Sequence, residues 1–289
     1  MRMDSPILSV IIPTHKRPQI LRRTLEYIER QTIVDQIEVI VVNDESEKLK
    51  VKSEKFGLRI LNVPPCHQGV ARNRGVEGAK GKYVLFIGDD IFLAPDACAR
   101  HIQAHSPPLP VGEGLGVRAS RAVLGFTTWD PAVGITPVME WLEFSGWQFG
   151  YPMIAPYAHQ TIPSSIQHRF TYTSHISLPT EIAKKFPFRE DVTLYGWEDI
   201  EWGWRLKNAG VKLFYQPDAR ALHHHHMTLE DSLKRMETLG RSAVMIEKIA
   251  LGLDVVPKGF KKLKYQIASL LPGMRGMHSK AYMQGIGKF

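Results

Sequence analysis

Asp89 and Asp90 stand side by side, directly after Gly88 and the apolar run Tyr83–Ile87. Two carboxylates this close repel each other unless a cation or donor hydrogens lie between them. A hard divalent metal that also holds phosphate oxygens is the economical partner. Gly-Asp-Asp is equally good turn chemistry, so a plain strand-to-turn junction is the competing reading. A second acidic pair, Glu198-Asp199, opens a helical segment. Acids in a first helical turn are favoured by the helix dipole, and ordinary N-terminal capping explains many of them. Four consecutive histidines, His223–His226, lie beyond the apolar run Val211–Tyr215. On a strand, alternate side chains share a face, so at most two of the four serve one site. Metal ligation is the chemistry such a pair would supply.

These groups need elements to hold them. Leu8–Ile12 reads as a first strand, stopped at Pro13. A donor-rich loop follows, Thr14-His-Lys-Arg-Pro18. Pro18–Arg30 reads as a helix, with proline at its start and apolar residues at helical spacing. Glu38–Val42 is a second buried strand ending in Asn43-Asp44-Glu45-Ser46. A β-α-β order this early predicts a parallel sheet. Arg59–Val63 is a third strand, Gly69–Ala79 a short helix, and Tyr83–Ile87 a strand buried on both faces. Three strand ends thus carry polar clusters: Thr14, Asn43/Asp44 and Asp89/Asp90. Ligands in open α/β sheets bind outside the carboxyl ends of strands, so the repetition points to one site.

Ser106–Gly116 is rich in Pro and Gly and reads as a surface loop. Val123–Thr127 and Tyr172–Leu178 read as strands, and a helix follows the second through Lys185. Residues 137–160 are aromatic-rich. They suit either a packed core or lid, or an acceptor-side wall, because aromatic faces match sugar rings and lipid tails. The helix from Glu198 carries an i,i+4 pair, Glu201 and Arg205, and Gly210 suits its C-terminal cap. A last strand, Val211–Tyr215, precedes Pro217. Thr228–Asp231 is a helix start with capping-box chemistry, and that helix runs to about Leu251.

The 289 residues are 44% hydrophobic and 23% charged, enough for one large α/β domain with an appendage or for two small ones. The net charge of +8 calls for an anionic partner. From Asp254 onward six lysines and one arginine face a single acid. Apolar residues lie between them, from Phe260 to Leu271. Such a segment suits an anionic membrane surface, or a solvated helix packed back on the domain. Two cysteines, Cys66 and Cys98, are too few for a disulfide framework and fit a reducing compartment. The first residues lead straight into a strand, so no signal peptide is expected. No apolar run nears the ~20 residues of a membrane span.

Taken in order, Ser9-Val-Ile-Ile-Pro-Thr14, Val41-Val-Asn-Asp-Glu-Ser46, Gly69-Val-Ala-Arg-Asn-Arg-Gly75, Phe86-Ile-Gly-Asp-Asp90 and Gly196-Trp-Glu-Asp-Ile-Glu201 resemble the family 2 glycosyltransferases of the GT-A fold. The likeness covers roughly residues 7–235 and rests on five weak motifs in one order. It implies an α/β, Rossmann-like GT-A domain over residues 1–227, with a mostly parallel sheet flanked by helices. Within it, 1–100 would bind the nucleotide-sugar and 120–227 would hold acceptor and catalytic groups. Residues 228–289 would form a helical, basic C-terminal extension.

The resemblance further implies an inverting, metal-dependent transfer from a nucleotide-diphospho-sugar (UDP, GDP or dTDP) to a saccharide or lipid-linked hydroxyl, in cell-envelope or other glycan synthesis. Pro13, Thr14, Asp44, Arg72 and Asp89 match the nucleotide side. Asp90 matches the direct Mn²⁺ or Mg²⁺ ligand, with His223 completing the set and His225 its same-face alternative. Asp199 matches the catalytic base, and Glu198 an acceptor- or helix-orienting acid. Gly88 and Asn43 replace common acids, and each keeps the acid that follows. His175 stands where an asparagine is frequent, which predicts an altered patch of pocket. The expected setting is cytoplasmic, peripheral on the inner membrane face, with no nucleic-acid partner. A nucleotidyltransferase would usually carry a Gly-rich basic signature after the first strand, and Thr14–Pro18 lacks it. A basic binding protein would leave the acidic motifs without a role. The Asp90, Asp199 and His223 set argues against a degenerate enzyme that binds without turnover.

Overall fold

The structure is a computed structural model that describes residues 5–44, 49–106, 120–250 and 252–288. Strands β1 (Leu8–Thr14), β2 (Ile37–Asn43), β3 (Gly57–Asn62) and β4 (Tyr83–Ile87) form the N-terminal half of one sheet. They pair in parallel in the order β3-β2-β1-β4. Helices α1 (Pro18–Glu29) and α2 (Gln68–Gly78) are the crossovers. The apolar runs fill both faces, as fully buried parallel strands require. Val10, Ile12, Leu85 and Ile87 pack with Leu21, Leu25 and Ile28 of α1. Ile11, Val84 and Phe86 pack on the other side with Ala71 and Val76 of α2.

The rest of the sheet is mixed. β5 (Ile91–Leu93) and α3 (Ala97–Ala104) follow the acidic turn. β6 (Arg121–Trp129), α4 (Pro137–Ser145), α5 (Tyr151–Ile154), β7 (Gln160–Thr161), β8 (His175–Pro179) and α6 (Thr180–Lys185) come next, then α7 (Glu198–Asn208) and β9 (Lys212–His223). The order continues β4-β8-β6-β9-β5, with β7 on β9. β8 is antiparallel to β4 and β6, whereas β6 and β9 are parallel.

β9 is longer than the run Val211–Tyr215 predicts, because Pro217 does not end it. The register with β6 jumps from Gln216 to Arg220, so Pro217 sits in a bulge where no ladder donor is needed. The strand then runs on to His223, opposite Ile91 of β5. That pairing sets the histidines beside the acidic turn. The Pro/Gly-rich loop expected over Ser106–Gly116 lies, from residue 107, outside the described residues, as do Glu45, Ser46 and Leu251.

The C-terminal helices are α8 (Leu229–Ile249), α9 (Gly259–Ser269) and α10 (Met274–Gly287). α8 starts with the expected capping box between Thr228 and Asp231. α8 and α10 share a core with Val192, Leu194, Trp197, Ile200 and Trp204, so they buttress the start of α7. No described helix is long and apolar enough to cross a membrane.

Candidate active site

The parallel register puts Thr14 opposite Asn43, and β4 ends beside them at Gly88-Asp89-Asp90. All three polar clusters therefore meet at one sheet edge. They floor a cleft of about 1370 Å³, also lined by Pro13, Asp44, Arg72, Glu198 and Asp199. His223 and His225 line the same cleft. The residues that the resemblance assigns to catalysis, nucleotide binding and metal binding thus all line one space.

Asp89 is buried, and both its oxygens are taken. Thr14 Oγ1 donates to Oδ2 at 2.6 Å, and Arg17 donates to Oδ1. The Thr24 hydroxyl holds the Asp89 carbonyl at 2.5 Å. Burial pushes the Asp89 carboxyl up to about 6 and neighbouring Asp90 adds to this, against the pull of Arg17. Asp90 behaves oppositely. Burial would raise it too, but the nearby His223 and His225 imidazoles and the Arg17 charge hold it well below the ordinary carboxylate range. Arg17 Nη1 donates to Asp90 Oδ2 at 2.8 Å. A single guanidinium therefore bridges the two acids. A Cβ at Gly88 would lie 2.8 Å from Asp90 Oδ1, so a side chain there asks the Asp90 carboxylate to rotate.

The histidine run divides as a period of two predicts. Asp90 Oδ2 is 3.6 Å from His223 Nε2 and 3.7 Å from His225 Nδ1. The three ligating atoms lie within 4.8 Å of one another. His223 stacks between Trp129 and His225. His224 turns away: its Nδ1 is 2.6 Å from Asp130 Oδ2, and its ring stacks on Phe92. Its backbone N–H donates to the Asp90 carbonyl at 2.8 Å, tying the run to the acidic turn. One carboxylate with two imidazoles fits a divalent cation of borderline softness. His223 Nε2 is the nitrogen that faces Asp90, and its Nδ1 is buried without a hydrogen-bond partner among the described residues.

Across the cleft, α7 begins from a strained turn. Gly196 and Trp197 both have positive φ, +93° and +69°, and a left-handed conformation is rare for a bulky residue. Two bonds from α8 hold the turn: Trp197 Nε1 donates to the Leu239 carbonyl at 2.9 Å, and Ser242 Oγ to the Gly196 carbonyl at 3.0 Å. The turn delivers Glu198 and Asp199 to the cleft. Burial, then repulsion from Glu198, pushes the Asp199 carboxyl up to about 7, with Arg72 pulling the other way. Glu198 accepts from Gln68 and sits 3.9 Å from Arg72. Arg72 is buried, stays charged, and its Nε and Nη1 have no hydrogen-bond partner among the described residues, Glu198 being an ion-pair neighbour only. It is positioned to meet an anion in the cleft.

Three polar partners escaped the sequence reading. Arg17 belongs to the donor-rich loop, whose composition was the available signal. His15 shares that loop, with its Nδ1 2.7 Å from Asp44 Oδ1, whereas Gln68, which meets Glu198 from the start of α2, gave no signal. His175 corrects an expectation. It is fully buried, over Gly125 and beside His101, and does not reach the cleft. The aromatic stretch splits between its two readings. Trp147 and Phe149 line the cleft, Tyr151 is core, and Phe144 is exposed.

The sequence model described as Glycosyl transferase family 2 matches residues 9–152. Validoxylamine A glucosyltransferase of Streptomyces hygroscopicus subsp. jinggangensis is 27% identical over 239 residues, 72% of this chain and 53% of that protein. A PGL/p-HBAD biosynthesis glycosyltransferase of Mycobacterium tuberculosis is 36% identical over 116 residues, 36% of this chain and 45% of that protein. The chain spans about half, or less, of the curated relatives it matches. Among solved structures, the mannosyltransferase PcManGT of Pyrobaculum calidifontis, in complex with GDP-Man and Mn²⁺, superposes with a TM-score of 0.60 at 15% identity, over 99% of this chain and 76% of that one. Residues 1–349 of S. aureus TarS in complex with UDP give 0.52 at 18% identity, over 90% and 69%. The fold is that of the GT-A glycosyltransferases.

Proposed function

We propose, for a chain that belongs to glycosyl transferase family 2 through its residues 9–152, that the cleft transfers a sugar from a nucleotide-diphospho-sugar to an acceptor hydroxyl with inversion at the anomeric carbon. The observation that carries this is the opposition of two acidic sets across one cleft: Asp90 with its histidines on the sheet edge, and Asp199 on α7. The donor lies over residues 1–100, with Thr14, Asp44 and Asp89 toward nucleobase and ribose. Arg72, charged and with donor hydrogens left over, meets a phosphate or base acceptor. The acceptor enters on the 120–227 side. Nucleotide complexes of fold neighbours, GDP-Man in one and UDP in another, support a UDP, GDP or dTDP donor. A lipid-linked or saccharide acceptor of the cell envelope, met at the inner membrane face, is the setting that fits the basic C-terminal residues.

Asp90, His223 and His225 would hold the divalent cation. Mg²⁺ prefers an all-oxygen octahedron, so two imidazoles favour Mn²⁺. A cation bound there supplies positive charge against the departing diphosphate. Asp199 accepts the acceptor's proton as its oxygen attacks, and one displacement with one base inverts the carbon. Glu198, held by Gln68 and Arg72, orients the acceptor.

Two outcomes follow. Asp199 works only when ionised, and its carboxyl is held up to about 7. Below pH 7, kcat/KM is expected to fall about tenfold per pH unit. A pH profile with its acid limb near 4.5 would remove Asp199 from the role. Arg17 occupies the carboxylates that a cation needs. Arg17→Gln is therefore expected to bind Mn²⁺ alone about tenfold more tightly, and nucleotide diphosphate more weakly, because the displaced guanidinium no longer reaches phosphate. Electron paramagnetic resonance titration of Mn²⁺, with and without UDP, reads both. Weaker Mn²⁺ binding by the variant would show that Arg17 only supports the turn.

A further inference from the structure

Five large apolar side chains of α9 and its C-terminal end point into solvent. Phe260, Leu263, Ile267, Leu270 and Leu271 are 48–86% exposed. Their spacing places them on one stripe of a helix, so α9 is amphipathic with its apolar face outward. The opposite side is what packs: Ala268 is buried, and the Tyr265 ring sits 5.5 Å from that of Tyr282. Globular domains rarely leave such a stripe uncovered.

Charge identifies the occupant. Gly259–Ser269 carries Lys261, Lys262 and Lys264 and no acid. Among the described residues none of the three lysines has an ion-pair partner. Lysines flanking an outward apolar stripe are the composition of a helix that lies in an anionic lipid interface. α10 is different. A Cβ at Gly285 would sit 2.0 Å from the Glu237 carbonyl, and one at Gly240 2.2 Å from that of Tyr282. α10 therefore lies in backbone contact with α8 and is committed to the fold. The packed reading of the basic tail fits α10, and α9 is the helix whose apolar face stays exposed.

α9 also borders the cleft. Lys261 and Tyr265 line it, together with Arg235 of α8, whose Nε and Nη1 are buried without a partner. We propose that α9 docks this protein on an anionic bilayer and turns the acceptor end of the cleft toward the lipid. Resting on the transferase reading above, the acceptor is then a membrane-borne hydroxyl compound whose anionic headgroup meets Arg235 and Lys261.

Vesicle flotation of the full chain, without donor, tests the docking. The chain is expected to float with phosphatidylcholine vesicles containing phosphatidylglycerol, and far less with phosphatidylcholine alone. Leu263→Asp/Ile267→Asp is expected to lower partitioning more than about tenfold. Lys261→Gln/Lys262→Gln/Lys264→Gln is expected to cost about fivefold per lysine and to abolish the dependence on anionic lipid. These side chains are exposed, so circular dichroism melting should match the parent. Unchanged partitioning of the Asp variant, or no flotation of the parent on anionic vesicles, overturns the proposal. A parent that sediments as a dimer, converted to monomer by the Asp variant, would make the stripe a self-interface and overturn it too. Asp199→Asn should float like the parent, so loss of transfer and loss of docking are read separately.

Discussion

Asp199→Asn is expected to bind nucleotide diphosphate as the parent does, and to lose transfer by about 10³-fold. The amide keeps the shape of the side chain and its reach to the Ile200 N–H, to which Asp199 Oδ1 is bonded at 2.8 Å. It cannot take a proton. In the proposed binding mode the donor contacts lie on the sheet edge and at Arg72, so the donor Kd should hold. A second consequence separates this variant from one that merely unfolds. The folded Asp199 carboxyl sits near 7, above the ~3.9 of an unfolded chain. A raised carboxyl stabilises the fold fully below the unfolded value, and that stability is lost as pH rises through about 7. The parent thus carries a cost on the order of 4 kcal/mol at pH 8 for holding this charge. Asparagine has no such charge. The variant should melt higher than the parent at pH 8, and the gap should close toward pH 5. A variant that melts lower at pH 8 would mean that the carboxylate holds the fold together, and that its effect on transfer is indirect.

Asp90→Asn is expected to weaken Mn²⁺ binding by about 100-fold and to lower transfer at least as much. Asp90 is the group on which Arg17, His223 and His225 converge. His223→Ala should follow in the same direction with a smaller loss, since its Nε2 approaches the same oxygen. EDTA should silence the parent, and Mn²⁺ should restore it more fully than Mg²⁺. His226→Ala, an exposed neighbour, should leave both quantities unchanged. Parental Mn²⁺ affinity in Asp90→Asn would move the cation elsewhere.

The parallel half of the sheet was legible because its signals are local. Apolar runs ending in Pro13, Asn43 and Gly88 state both the strands and the edge on which their polar ends meet. That at most two of the four histidines would share a site was legible from alternation, whereas their pairing with Asp90 came from the family resemblance. What escaped depends on partners distant in sequence. β9 passes Pro217 because β6 supplies a register shift at Gly125. The same Gly125 leaves room for a buried ring at 175, and a single residue cannot show that from its neighbours. Arg17 and Gln68 acquire their roles from acids 73 and 130 positions away. The tail read evenly as lipid-bound or packed, because composition averages over two helices that the fold treats differently.

Calorimetric titration of UDP, GDP and dTDP, each with Mn²⁺ and with EDTA, into the parent and into Asp90→Asn tests the central claim most directly. Strong binding of one nucleotide by the parent with Mn²⁺, lost both in EDTA and in Asp90→Asn, is the predicted result. No binding of any nucleotide by a folded parent, or binding indifferent to EDTA and to Asp90, would contradict a donor site at this sheet edge.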